Sequence, residues 1–566
     1  MNLSPYRFKQ VISFQDQHYA LVESPDCDFI YRVSGLSKRW KLDFRVQKLV
    51  RSGSCLVLLP SENFCKNYQL LFEDEISERK SMKKSFLLGD GYIIQRSSVA
   101  GGYTISDKPI DYSRKFSLDE ESELSLPNKI HLFDIVMMRD GIIFTSSSTG
   151  IWEASLKAYW HTESQIWKEV KFPSSQHCKN HFIRWLGENQ VLVASDRRAQ
   201  YQRLFNWNIL SNDIKPVSSP SRDHILFQDS QCFLSNHKGY CELVAANHTY
   251  KTGYCKDFCK SEHLLTLIAD APASNQRLCS IELSENSNTD SRLNIISKGL
   301  TIDLSGELVT SDNYDFDYTE ENLDEGLMLR FKPTFKALGT VVFVHGGPGL
   351  CEGHRMRENI IELVDHGFEV ITFDASGSAG FGRKFRNRLN GKHGSLDLSE
   401  LELILRRKVS HFPVFLYGES YGGYLVLKAG IELSNLIKGV INYYGVTDWF
   451  DAMLDFKNLT GPLKRRMYKN FGNPNTEVGR HYLNQISILP EAKKLTIPIF
   501  TIHGSEDKSV PLSHSKKLYK AMSNAHSLSR LLILPGEGHE IRKYSNRKKA
   551  IKEVLNFLKK CLKSDV

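Results

Sequence analysis

Six consecutive residues, Gly418-Glu419-Ser420-Tyr421-Gly422-Gly423, carry the first chemical signal in the chain. They follow an apolar run, Val414 to Tyr417, and precede a helical stretch through Tyr424, Leu427 and Lys428. A Gly-x-Ser-x-Gly between strand and helix is a nucleophile elbow. Its turn is so tight that the serine is strained with Oγ exposed, and a Cβ at the flanking glycines would strike the neighbouring backbone. The helix N-terminus behind the serine favours developing negative charge. A serine hydroxyl is a weak nucleophile near neutral pH and needs a base, which itself needs an orienting group. In this frame the chain order is serine, acid, histidine. Asp507, in His503-Gly504-Ser505-Glu506-Asp507-Lys508-Ser509-Val510-Pro511, follows the apolar run Ile497 to Ile502. His539, in Pro535-Gly536-Glu537-Gly538-His539, follows Leu531 to Leu534. Asp507 thus falls at the carboxyl edge of a sheet, where ligands gather, and His539 sits in a glycine-rich loop free to reach inward. Asp507 could instead be a turn residue and His539 a surface-loop histidine. Glu506 is a rival acid, ranked below Asp507.

A tetrahedral oxyanion needs two preorganised donors. The amide after the nucleophile, Tyr421 N–H, is one. The second is Gly346 or Gly347 N–H in Val344-His345-Gly346-Gly347-Pro348-Gly349, where glycines let the backbone approach closely. A phosphate cradle would need a following Gly-Lys-Ser/Thr, which is absent.

Two kinds of element must position these residues. From about 310 the apolar runs Thr340–Val344, Glu369–Phe373, Val414–Tyr417, Gly439–Tyr443, Ile497–Ile502 and Leu531–Leu534 alternate with longer helical stretches. That alternation predicts a mostly parallel, doubly wound sheet with crossover helices. From about 20 to 300 the pattern is short strands and polar turns, as in Phe29–Val33, Leu56–Leu59, Gly91–Ile94, Gln190–Ala194, His224–Phe227 and His263–Ile268. So many short strands predict an all-β domain, and the length suits six to eight propeller blades of about 40–45 residues. Two hairpins, Gly141–Ser146 with Gly150–Trp152 and Val191–Asp196 with Gln202–Phe205, look like one repeated unit; two unrelated hairpins are the alternative. The expected domains are 1–305 and 306–566, with the acidic segment Asp312 to Asp324 near the junction.

The 74 basic and 65 acidic residues leave a mild excess of +9 over 566 residues, not the concentrated stripe of a nucleic-acid binder. The basic cluster Asn546–Lys549 and Lys559-Lys560 reads as the solvated face of a closing helix whose apolar side is Ile551, Val554, Leu555, Leu558 and Leu562. No apolar run is long enough for a signal peptide or a membrane span. Eleven irregularly placed cysteines, with only Cys255 and Cys259 close together, suit reduced thiols in a cytoplasm and complete no zinc site.

The second half resembles the prolyl oligopeptidase family of serine peptidases, in its acylaminoacyl-peptidase and dipeptidyl-peptidase branches. The resemblance rests on His345-Gly346-Gly347-Pro348-Gly349, Ser376 to Gly382, Gly418 to Tyr424, Val446-Thr447-Asp448-Trp449, Asp507 to Pro511 and Gly536 to His539, in family order over about 310–550. It implies an α/β-hydrolase domain with an N-terminal β-propeller that admits only short peptides. By the same analogy Trp449 and Val510 line the primary specificity pocket, although Trp449 could equally be plain core. His345 stands where some relatives carry an oxyanion-hole tyrosine, which fits the branch that uses backbone amides. The paired glutamates that hold a free substrate N-terminus in some relatives are not found. The expected activity is hydrolysis of short peptides through an acyl-enzyme on Ser420, Asp507 and His539, with no metal or organic cofactor and no nucleic-acid or membrane partner. The sequence leaves homo-oligomer formation open. The alternatives are an esterase or peptide natural-product hydrolase on the same fold, and a propeller-based interaction protein with an inactive hydrolase.

Overall fold

The computed structural model describes residues 326–564 except 356, 410, 412, 456–466 and 523–525; from 7 to 323 it describes the strands and some adjoining turns. Gly91 of one expected strand, Gly150 to Trp152 of the first expected hairpin, and Asp312, Asp315 and Asp324 of the expected acidic junction lie outside the described residues.

Between Arg7 and Thr310 the described residues form 28 strands in sheets of four, eight, four, four and eight, paired antiparallel throughout. Tight hairpins explain the connectivity. At Phe233–His237 and Tyr240–Ala245, for instance, Lys238 and Gly239 both have positive φ (50° and 77°), the turn whose twist matches paired strands. The first sheet lies against the last. Phe8 N–H donates to Gln276 Oε1 (2.7 Å) and Val11 N–H to Asp257 Oδ2 (3.0 Å), over a shared core of Ala20, Val22, Ile268 and Leu278.

The second half is built on one eight-stranded sheet: β1 (Asp317–Asn322), β2 (Leu327–Lys332), β3 (Gly339–Val344), β4 (Phe368–Phe373), β5 (Val414–Glu419), β6 (Gly439–Tyr443), β7 (Ile499–Gly504) and β8 (Arg530–Leu534). Its order is β1-β2-β4-β3-β5-β6-β7-β8, parallel except at β1–β2 and β2–β4. Side chains of β3 and β5 alternate between two cores. Val342, Val344, Val414 and Leu416 join one, and Val341, Phe343, Phe415 and Tyr417 the other. Burial on both faces is why these strands read as unbroken apolar runs. The first core is closed by α3 (Leu396–Arg407), α4 (Tyr421–Glu432) and α7 (Ser513–Ala521); the second by α1 (Glu358–Asp365) and α8 (Tyr544–Lys563). Further short helices are α2 (Gly382–Asn387), α5 (Trp449–Asp455) and α6 (Glu477–Ile486). This is an α/β-hydrolase arrangement preceded by a β domain.

The pair β1–β2 was not foreseen. β1 lies in the acidic stretch read only as a junction, and at the sheet edge its exposed Tyr318, Thr319 and Glu320 give no apolar run. The last antiparallel strand of the first half, Leu308–Thr310, lies beyond residue 305. The described contacts between the halves are largely polar. Arg386 pairs with buried Asp196 (3.1 Å), Arg7 with Glu358 (2.5 Å), and Lys238 N–H donates to Gly380 O (3.0 Å). Among the described residues no helix is long and apolar enough to cross a membrane.

Candidate active site

The end of β5 and the start of α4 form the elbow. Ser420 has φ 55° and ψ −114°, a conformation that costs a non-glycine residue on the order of 1–3 kcal/mol. Its N–H donates to Tyr443 O (2.9 Å), fixing the turn against β6. A Cβ on Gly422 would stand 2.1 Å from the Val344 carbonyl oxygen, so only glycine lets α4 approach β3 this closely.

Ser420 Oγ lies 3.0 Å from His539 Nε2, and His539 Nδ1 lies 2.8 Å from Asp507 Oδ2. A carboxylate can only accept, so Nδ1 carries the proton and Nε2 is left to accept from the Ser420 hydroxyl. The Asp507 carboxyl is buried. Burial raises its pKa, but hydrogen bonds from His503, His539 and Val510 N–H outweigh that and hold it well below the usual carboxylate range. Ser509 N–H and Val510 N–H both donate to Oδ1 (2.8 and 2.9 Å). Glu506, the rival acid, is exposed, and its backbone N–H donates to Glu537 O (2.8 Å).

Several supporting residues gave no sequence signal. His503 is buried and bonded to Ser515 Oγ (2.7 Å) and Val510 O (2.9 Å), bracing the acid loop. Glu537 accepts from Arg542 N–H, Lys543 N–H and Asn546 Nδ2 (2.9, 3.1 and 2.7 Å), tying the histidine loop to the start of α8. Tyr444 has φ 42° and sets its ring 4.6 Å from that of His539. Arg357 grips Glu352 (2.6 and 2.7 Å) and Glu419 (3.1 Å), the residue before the serine. Glu537 and Glu419 sit inside recognised motifs, and that was the only available hint.

Tyr421 opens α4, so its N–H has no carbonyl four residues back to accept it. A Cβ on Gly346 would lie 3.3 Å from Ser420 Cβ, which places that loop directly against the serine. His345 turns away: it is buried, with Nδ1 2.7 Å from Gly346 O and Nε2 3.0 Å from Ser378 Oγ. It props the loop, leaving backbone groups to face the serine.

Trp449 and Val510 are buried and do not line the cavity above Ser420. Trp449 stacks on Phe471 (4.5 Å) and meets Tyr424 edge-on (5.3 Å). Val510 belongs to the same core and caps Asp507. The cavity itself has a volume of about 820 Å³ and is walled by both halves: Ser420, His539 and Gly347 on one side, Gln47, Tyr254 and Lys256 on the other. Among the described residues no group of three His, Cys, Asp or Glu is arranged to hold a metal ion.

Residues 355–565 match the prolyl oligopeptidase family. Over 228 residues the chain is 27% identical to dipeptidyl peptidase family member 6 of Caenorhabditis elegans, covering 39% of this chain and 31% of that protein. Over 227 residues it is 25% identical to dipeptidyl aminopeptidase BIII of Pseudoxanthomonas mexicana, covering 39% and 33%. The aligned stretch thus spans about a third of those relatives' length. In fold, the chain is similar to a puromycin-hydrolyzing peptidase of Mycobacterium tuberculosis (TM-score 0.78, 15% identity, 99% of this chain and 95% of that one). It is also similar to the Pyrococcus horikoshii acylaminoacyl peptidase (TM-score 0.70, 14% identity, 99% and 97%).

Proposed function

We propose that this chain, whose residues 355–565 form a prolyl oligopeptidase family domain, is a serine peptidase acting on short peptides through an acyl-enzyme. The observation that carries this reading is the unbroken path Ser420 Oγ to His539 Nε2 to Asp507, at 3.0 and 2.8 Å, opening into a cavity. His539 Nε2 takes the Ser420 proton as Oγ bonds to the scissile carbonyl carbon. The oxyanion rests on Tyr421 N–H and Gly346 or Gly347 N–H. His539 then protonates the leaving amine as the C–N bond breaks, and Asp507 holds the imidazole tautomer and stabilises the imidazolium. Water, deprotonated by His539, attacks the ester and frees the acid product. In this reading Trp449 and Val510 lie beneath the pocket for the residue before the scissile bond, behind the surface that the open cavity presents.

The β domain is proposed to be a propeller of seven four-stranded blades. The strand count divides this way, and the first sheet packs on the last as a closed ring demands. Domain limits near 305, short unstructured peptides as substrates, and a cytoplasmic setting for the free thiols belong to the same proposal.

Treating the intact protein with a fluorophosphonate tests the centre. Labelling is expected on Ser420 with loss of peptide hydrolysis, and none in Ser420→Ala. Labelling elsewhere, with Ser420→Ala still active, rejects the assignment. A small amide- or ester-linked product is a second substrate reading, compatible with the fold shared with puromycin-hydrolysing enzymes. Rates on matched peptide and ester substrates separate the two.

A further inference from the structure

The cavity above Ser420 is rich in charge, and its positive groups are unevenly satisfied. Arg7 and Arg547 share one carboxylate, Glu358, at 2.5 and 3.2 Å. Arg357 is held by Glu352 and Glu419, and Arg542 faces Glu540 at 3.4 Å. Lys256 instead donates to a neutral group, the Phe8 carbonyl (2.7 Å), and Arg355 lies over the Tyr254 ring, 5.2 Å from its centre. Among the described residues neither has a carboxylate at ion-pairing distance. Glu23 and Asp270 also line this wall. Seven lysine and arginine side chains line the cavity against five carboxylates, so the local field is positive, and Lys256 and Arg355 border the same volume as Ser420 and His539.

We propose that Lys256 and Arg355, with Arg7 beside them, form an anion subsite in the β-domain wall that holds a carboxylate of the substrate peptide while its scissile carbonyl lies at Ser420. The subsite deepens the peptidase reading and rests on it for the position of the scissile bond. Lys256 supplies a point charge and Arg355 a planar fork of donors. A carboxylate arriving there would relieve the crowding of three cations. In a cavity closed on two sides, such bonds are stronger than on an open surface. The carboxylate is the peptide's own C-terminus or an acidic side chain.

The test is calorimetric binding to the full-length Ser420→Ala protein, so that it does not depend on turnover. The probes are N-acetylated tetrapeptides with a free or amidated C-terminus, with and without one glutamate. A carboxylate-bearing peptide is expected to bind about tenfold or more tightly than its fully neutral counterpart, the responsive arm showing which carboxylate is read. Arg355→Gln and Lys256→Gln should each shrink that ratio toward one without weakening the neutral peptide. Arg355 and Lys256 are both exposed, so both variants should fold. Equal affinity for neutral and acidic peptides overturns the subsite, as does a preference unchanged in Arg355→Gln and Lys256→Gln. Failure of a fluorophosphonate to label Ser420 in the unsubstituted protein would reject the peptidase reading while leaving the binding result to stand.

Discussion

At the scale of single residues, one carboxylate is expected to separate from its neighbour. Asp507 accepts from two backbone amides and from His539, whereas Glu506 points into solvent. Asp507→Asn should therefore keep the fold and lower kcat by about 10⁴, because the amide turns the imidazole to the wrong tautomer. Glu506→Gln should stay within a few-fold of the parent. Steady-state kinetics on one short peptide decides, and a dead Glu506→Gln beside an active Asp507→Asn would invert the assignment. Ser420, Asp507 and His539 were nameable from sequence because each lies in a glycine-marked loop after an apolar run. His503, Tyr444 and Arg357 were not. A buried histidine bracing a loop, a tyrosine at φ 42° and an arginine joining two glutamates have no local pattern, since their partners come from other elements.

At the scale of elements, the elbow depends on how closely α4 lies on β3. A Cβ at Gly422 would press on a backbone carbonyl that no rotamer change can move. Gly422→Ala should abolish labelling of Ser420 and lower the Tm by several degrees, read by thermal unfolding; an active, equally stable variant refutes the close approach. The contact between α3 and α4 carries a pH signature. Burial raises the Asp397 carboxyl from 3.8 to about 6, partly offset by the Tyr421 hydroxyl that donates to it (2.5 Å). A raised carboxyl favours its neutral form in the fold, so its contribution is complete below about pH 4 and is lost as pH rises through about 6. Asp397→Asn keeps an acceptor for that hydroxyl. Its Tm relative to the parent should be more favourable at pH 8 than at pH 4, and the opposite trend would show that the ionised carboxylate is what the site prefers. Apolar runs located β3 to β7 because those strands are buried. The opposite edge, β8, is partly exposed but still reads Leu-Leu-Ile-Leu, whereas the edge strand β1 carries no such run and escaped notice.

For the whole molecule, the question is what reaches Ser420. Ser420 faces a cavity walled by both halves, and the described contacts between them are largely ion pairs and hydrogen bonds. Short peptides should be cleaved and casein largely spared by the intact protein, as judged by gel and by peptide release. Asp196→Ala leaves the guanidinium of Arg386, itself mostly buried, without its carboxylate. Losing one partner of such a pair costs roughly 3 kcal/mol, so this variant should melt earlier and digest casein faster. Unchanged casein resistance together with a lowered Tm would mean that access is not governed by this contact.

Sequence alone determined the order of the candidate residues Ser420, Asp507 and His539 along the chain, the change from short alternating strands to buried parallel ones near residue 310, and the closing helix with its apolar face of Val554, Leu555 and Leu558. These are properties of spacing, and spacing survives in a string of letters. Tertiary structure alone decided which residues surround Ser420. Lys256 and Arg355 are 99 positions apart, yet they border one cavity with Ser420. Trp449 lies under the serine's own helix but turns into the core. A sheet edge and a facing domain can bring any two distant residues together, and no local pattern records which pairs they choose.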